Sequence, residues 1–157
     1  MRAFHFVTQW TFRAPIERVF SEISACERYA SWWTGFEKSE KHREEHEEVI
    51  AQRVRGIFGM RLSFVQQRIT REPPWGMQFS SRGDLVGDGV WKLATDGATT
   101  NVTLTWDVDL GRRRLRALAM VPGVPALMKR SHGALMAKGQ LCLAARLTAL
   151  PFDKLPR

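Results

Sequence analysis

The sequence predicts an α+β domain in which a curved antiparallel sheet wraps around one long C-terminal α-helix, with two short helices after the first strand. Three observations predict it. Residues Phe4 to Arg13 alternate with period two. Five β-like segments separated by short Gly- and Pro-marked connections then fill the middle of the chain. From about Val124 to Leu150 the pattern changes to helical spacing. With 157 residues and no repeat, low-complexity tract or linker, residues 1–157 read as one domain of ordinary size.

In the opening strand Phe4, Phe6, Thr8, Trp10 and Phe12 share one face and His5, Val7, Gln9, Thr11 and Arg13 the other, so a single face is buried. Ala14-Pro15 ends it, since proline suits the first turn of a helix, and Ile16, Val19, Phe20 and Ile23 continue at helical spacing to about Ser24. Cys26 to Trp33 reads as a second short helix stopped by Gly35. The charged run Glu37 to Glu48 fits either a solvated hairpin or an exposed helix, and periodicity leaves both open. Strands follow near Val49–Val54, Met60–Arg71, Trp75–Arg82, Leu85–Ala94 and Thr100–Asp109. In the last of these Val102, Leu104, Trp106 and Val108 alternate with polar residues. Pro122 and Pro125 mark the entry of the long helix and Pro151 its exit.

Hydrophobic residues make up 44% and charged residues 25% of the chain, which argues against disorder and fibrous repeats. No apolar run approaches the roughly 18 residues of a membrane span, and Met1-Arg2 leads into a strand pattern without a signal-type segment, so a cytoplasmic location is expected. Cys26 and Cys142 lie far apart outside any metal-ligand spacing and read as reduced packing residues. The net charge of +8 is uneven: between Leu110 and Phe152 stand eight Lys and Arg and no Asp or Glu. Such a bias attracts an anionic ligand, an acidic protein, lipid headgroups or nucleic acid, and restricts partners only weakly.

At 100° per residue, Met128, His132, Leu135, Met136, Gly139, Cys142, Leu143, Leu147 and Leu150 fall within an arc of about 140°, the face that should meet the sheet. Opposite it, Phe6, Trp10, Phe64, Phe79 and Trp106 either fill the core or wall a cavity. His132, the candidate catalytic residue, can hydrogen-bond a ligand carbonyl or hydroxyl, or instead be tied to a strand hydroxyl or carbonyl. Gly139 leaves space for a ligand or permits close packing of helix on sheet. Arg146 can cover apolar surface while its guanidinium reaches solvent, or bind an anionic group at the cavity mouth. Asp88 and Asp107 should face outward.

Two further motifs carry less. His42-Arg-Glu-Glu-His46 matches the H-x-x-E-H pattern of inverted zinc peptidases, but it needs an ordered helix and a covered pocket, which a charged run does not offer; no metal or other cofactor is expected. Arg112-Arg-Arg-Leu-Arg116 precedes the apolar stretch Leu118–Val121, and together they can form a surface helix touching anionic lipid, which leaves peripheral membrane contact open. Without aromatic interleaving or a nucleic-acid module, specific nucleic-acid binding is not expected.

Several blocks resemble the START-like, or SRPBCC, superfamily, whose fold is the helix-grip (Bet v 1-like) arrangement. Trp10-Thr-Phe-Arg-Ala-Pro15-Ile-Glu-Arg-Val-Phe20 is similar to its strand-to-helix signature, and Tyr29-Ala-Ser-Trp32-Trp33 to the aromatic end of its second helix. Gly83 to Trp91, Val102 to Val108 and His132 to Leu147 resemble later blocks of its polyketide cyclase/dehydrase and lipid-transport branch. The resemblance implies a largely apolar cavity between sheet and helix, of the kind used for lipids, quinones and polyketide intermediates, and no single reaction.

The sequence therefore ranks first a noncatalytic protein that binds a small hydrophobic molecule, with room for one anionic group. The expected ligand-binding set is Phe6, Trp10, Phe64, Phe79, Trp106, Met128, His132, Leu135, Met136 and Gly139. A polyketide cyclase or dehydratase using His132 ranks second, because no second catalytic group accompanies it. A membrane-surface or interaction module built on residues 112–116 ranks third.

Overall fold

The computed structural model describes residues 3–149. Its elements run β1 (Phe4–Phe12), α1 (Ile16–Ser24), a 3₁₀ turn (Cys26–Arg28), α2 (Tyr29–Trp32), β2 (Phe36–Glu44) and β3 (Glu47–Arg55). After a second 3₁₀ turn (Ile57–Gly59) come β4 (Arg61–Glu72), β5 (Gly76–Gly83), β6 (Leu85–Thr95), β7 (Thr100–Leu110), α3 (Arg113–Ala119) and α4 (Val124–Ala149).

The strands form one curved antiparallel sheet in the order β1-β7-β6-β5-β4-β3-β2. The chain lays down one edge with β1, crosses through α1 and α2 to the opposite edge, and meanders back strand by strand until β7 pairs with β1. In β1, Phe4, Trp10 and Phe12 are buried while His5, Val7 and Thr11 are exposed, and β7 alternates likewise from Thr100 to Leu110, as the period-two reading requires. Register slips occur in β2 between Phe36 and Lys38 and in β4 between Gln67 and Thr70, the latter with Arg68 at φ 51°. Irregularities of this kind bend a strand and help a sheet curl around a helix.

Helix α1 buries Ile16, Val19, Phe20 and Ile23, its whole apolar stripe. At its entry Thr100 Oγ1 donates to Ala14 O at 2.7 Å, tying the β1–α1 turn to β7. Helix α4 buries or half-buries Met128, His132, Leu135, Met136, Gly139, Cys142, Leu143 and Leu147, the face anticipated from 100° spacing. Leu150 and Pro151 lie outside the described residues. Two indoles fasten this helix to the rest of the fold: Trp10 Nε1 donates to Met136 O at 3.1 Å and Trp33 Nε1 to Leu135 O at 2.9 Å. Gly35, at φ 110°, fits beneath Leu135, since a Cβ there would stand 2.4 Å from Leu135 Cδ1.

The charged run proves to be the β2–β3 hairpin. Glu45 and His46, with φ of 50° and 70°, make a two-residue turn of the kind that matches strand twist. His42 is on the strand and His46 in the turn, so the two imidazoles do not share the helical face that the zinc-peptidase pattern needs. The basic segment does form a helix, α3, which buries Leu115. Among the described residues no helix is long and apolar enough to cross a membrane.

Candidate functional site

Between the sheet and α4 lies an apolar cavity of about 120 Å³. An apolar cavity of about 150 Å³ accommodates benzene, so this space approaches the size of a ring. All seven strands reach its wall, and Phe6 from β1, Phe64 from β4, Phe79 from β5 and Trp106 from β7 form an aromatic floor. Met128, His132, Leu135 and Met136 of α4 form the roof, and Leu115 of α3 closes one side.

The register of the sheet explains how these rings meet. Phe79 on β5 and Trp106 on β7 both stand opposite Gly89 of β6. The missing side chain of Gly89 leaves the space Phe79 occupies, because a Cβ there would lie 2.3 Å from Phe79 Cζ. The Phe79 and Trp106 centroids are then 6.1 Å apart, and Phe64 reaches Trp106 at 5.6 Å. On the other side Phe6 is the direct cross-strand neighbour of Trp106, and His132 descends from α4 to stack on Phe6 with 3.8 Å between centroids. Burial pushes the His132 imidazole down to about 4, so it is neutral at physiological pH.

Eight of the ten residues anticipated for the site line this cavity: Phe6, Phe64, Phe79, Trp106, Met128, His132, Leu135 and Met136. Trp10 and Gly139 stand off the wall. Trp10 is 2% exposed, packed between Trp33 and Trp91 at 5.3 and 5.5 Å and bonded to the α4 backbone, so it supports the wall from behind. Gly139 is covered by Trp33: a Cβ would lie 2.4 Å from the indole Cε2, which makes the glycine a seat for that ring and not ligand space. The anticipated hydrogen bond from His132 to a strand is not made by Nε2, which is buried without a partner among the described residues.

Other expectations are corrected by pairing. Arg146 neither reaches for solvent nor faces the cavity; its Nε meets Glu22 Oε2 at 2.6 Å and clamps α4 to α1. In the basic cluster Arg112 pairs with buried Asp84, and Arg116 donates to Leu110 O at 3.1 Å, so two of its arginines fix the β7–α3 corner. Arg113, Arg114, Met120 and Val121 are exposed. Asp88 and Asp107 are cross-strand partners on the outer face, Asp88 accepting from Ser80 Oγ at 2.9 Å and Asp107 paired with His5.

Sequence reasoning missed several wall residues. Phe4, Leu104 and Val108 share the faces of Phe6 and Trp106, so alternation alone assigns them. Trp33 and Tyr29 come from the aromatic cluster after α1; the Tyr29 hydroxyl donates to Ile23 O, and burial raises its pKa well above the ordinary value. Arg55 had no signal. It is the one permanently charged wall residue among the described residues, with a side chain 63% exposed and 3.8 Å from Glu37, which puts it at the solvent end. Beside the cavity Cys26 is fully buried and its thiol is pushed up to about 12, as befits an inert packing residue.

A curved antiparallel sheet closed over an aromatic-lined cavity by a long C-terminal helix defines a domain of the helix-grip class, START-like in fold. The chain belongs to the polyketide cyclase / dehydrase and lipid transport family, whose model matches residues 3–140. Among solved structures it is similar to the ZhuI aromatase/cyclase of Streptomyces sp. R1128, with a TM-score of 0.70, 16% identity and coverage of 91% of this chain and 92% of that one. A protein of Thermus thermophilus gives 0.70 and 20% identity over 92% and 99% of the two chains. A START superfamily protein of Mycobacterium smegmatis gives 0.69 and 15% over 94% and 99%. At these identities the likeness is one of fold. No curated protein matches the chain.

Proposed function

We propose that this protein binds one small hydrophobic molecule, lipid-, polyketide- or quinone-like, in the cavity beneath α4, and acts in the cytoplasm without catalysing a reaction. The observation that carries the reading is the wall itself: a cavity of about 120 Å³ whose floor is Phe6, Phe64, Phe79 and Trp106 and whose roof is apolar apart from Ser131 and His132. Rigid rings of this size present a large apolar contact area at little entropic cost, which is what capture of an apolar body requires. An anionic group on such a ligand would stay at the solvent end, near Arg55, where hydration is retained.

Binding ranks ahead of cyclisation on one physical ground. A general base working near neutral pH needs a pKa close to that pH, and burial holds His132 down to about 4. His132 is then a hydrogen-bonding group first. Exposed Met120 and Val121 beside Arg113 and Arg114 support a second, accompanying role, peripheral contact with anionic membrane; its signature would be vesicle binding that falls steeply with salt.

The test is native mass spectrometry of the purified protein, followed by solvent extraction and identification of what is released. One stoichiometric apolar compound is expected. Polar metabolites alone, or turnover of a cyclisation substrate that His132→Ala abolishes while affinity is kept, would contradict the binding reading.

A further inference from the structure

Two residues of the cavity wall each carry a ring nitrogen that the protein leaves unpaired. Trp106 Nε1 and His132 Nε2 are both buried, and neither has a hydrogen-bond partner among the described residues. They come from opposite layers, β7 and α4, with ring centroids 6.1 Å apart and planes at 50°. Trp106 is only 8% exposed. Buried polar groups in folded proteins nearly always find a partner, so each such orphan calls for an explanation.

Three other polar side chains of the same wall do have theirs. Tyr29 Oη donates to Ile23 O, Trp33 Nε1 donates to Leu135 O at 2.9 Å, and Gln66 Oε1 accepts from Gln52 Nε2 at 2.8 Å. The other buried side-chain atoms without partners, on Glu27, Trp32 and Ser81, belong to residues off the wall. The two buried, unpartnered nitrogens carried by wall residues therefore both belong to the place where β7 faces α4. An indole N–H can only donate, while a neutral imidazole donates from one nitrogen and accepts at the other. The partner that suits both is an uncharged oxygen: a carbonyl accepting from Trp106, or a hydroxyl accepting from Trp106 and donating to His132. A carboxylate could accept from the indole but would be buried without a countercharge, because burial pushes His132 down to about 4 and leaves it neutral.

We infer that the cavity selects a flat, apolar ring system that is uncharged where it is buried and carries one carbonyl or hydroxyl oxygen there, held by the Trp106 indole N–H with His132 as its second polar neighbour. The inference rests on the reading of the cavity as a ligand site and adds to it the chemistry of the ligand.

The experiment compares 1-indanone with indane, two bicyclic molecules of nearly one shape that differ by a carbonyl. Titration followed by NMR is expected to move the Trp106 Nε1–H resonance downfield with 1-indanone and to leave it nearly in place with indane. In Trp106→Phe, which keeps an aromatic wall, the Kd ratio of ketone to hydrocarbon should shift against the ketone by about fivefold to tenfold. An unmoved indole resonance in the wild type, or an unchanged ratio in the folded variant, overturns the inference and leaves the cavity reading standing. Failure of both compounds to bind the folded wild type overturns the two together. Should Trp106→Phe fail to fold, the wild-type resonance decides alone.

Discussion

The His132 imidazole lies almost flat on the Phe6 ring, with centroids 3.8 Å apart and planes 20° from parallel. The contact joins the last helix to the first strand. Because it is made by an ionisable group in an apolar setting, it links the stability of the fold to pH.

The sign follows from linkage. Burial lowers the folded-state value of His132 from 6.5 to about 4, so between those values the unfolded chain binds a proton that the folded chain refuses. The associated stability is fully present above about pH 6.5 and is lost as pH falls toward 4. It amounts to about 3 kcal/mol at one unit per 1.36 kcal/mol. Urea denaturation of the wild type and His132→Leu at pH 7 and pH 4.5 checks this: the variant should lose markedly less stability on acidification. Equal losses would mean that the imidazole is protonated in the fold.

Gly139→Ala tests the seat of Trp33. In an ordinary helix alanine is favoured over glycine by about 1 kcal/mol. Here the new methyl would fall 2.4 Å from the indole Cε2, and displacing the ring would also strain its bond to Leu135 O, so a net loss of about 1 to 3 kcal/mol is expected. Chemical denaturation reads the difference, and a stabilised variant would show that the ring moves aside freely.

Gln52 is 2% exposed and connects three elements. It accepts from Ser39 Oγ at 2.5 Å and donates to Cys26 O at 2.9 Å and Gln66 Oε1 at 2.8 Å. Gln52→Met keeps the volume and strands those partners, at an expected cost of about 2 to 3 kcal/mol in thermal or urea unfolding. A loss below about 0.5 kcal/mol would mean that water replaces the amide.

The Arg146–Glu22 pair is half-buried, with side chains 27% and 16% exposed, so it should be coupled by about 1 kcal/mol. A double-mutant cycle with Arg146→Met and Glu22→Gln measures this coupling, and additive losses would reduce the contact to coincidence.

Much of this architecture was legible in the sequence, because binary patterns survive folding. The alternation of β1 and β7 and the 100° arc of α4 named both faces of the cavity and six of its wall residues, with Phe64 of β4 and Phe79 of β5 added as aromatic strand positions. What escaped depended on three-dimensional partners. Gly139 reads equally as ligand space or as a packing seat until Trp33 arrives from far earlier in the chain, and Arg146 as a solvent-reaching or anion-binding cation until α1 brings Glu22 beside it. Trp10 shares a face with Phe6 but lies toward the end of β1 where Trp33 and Trp91 fill the space, and period two cannot see position along a strand. The run from Glu37 to Glu48 was ambiguous because a hairpin so largely exposed carries no hydrophobic period; only its turn at Glu45-His46 marks it.

The central claim is that the space between sheet and α4 takes up an apolar molecule, and the most direct measurement is NMR titration with indane, a neutral hydrocarbon close to the cavity in size. The wild type should bind it saturably with one site. Leu135→Arg, which sets a charge into the roof, should weaken binding by at least about tenfold while circular dichroism and the unfolding midpoint confirm a folded protein. Equal binding by wild type and folded Leu135→Arg would place the probe elsewhere and contradict the account.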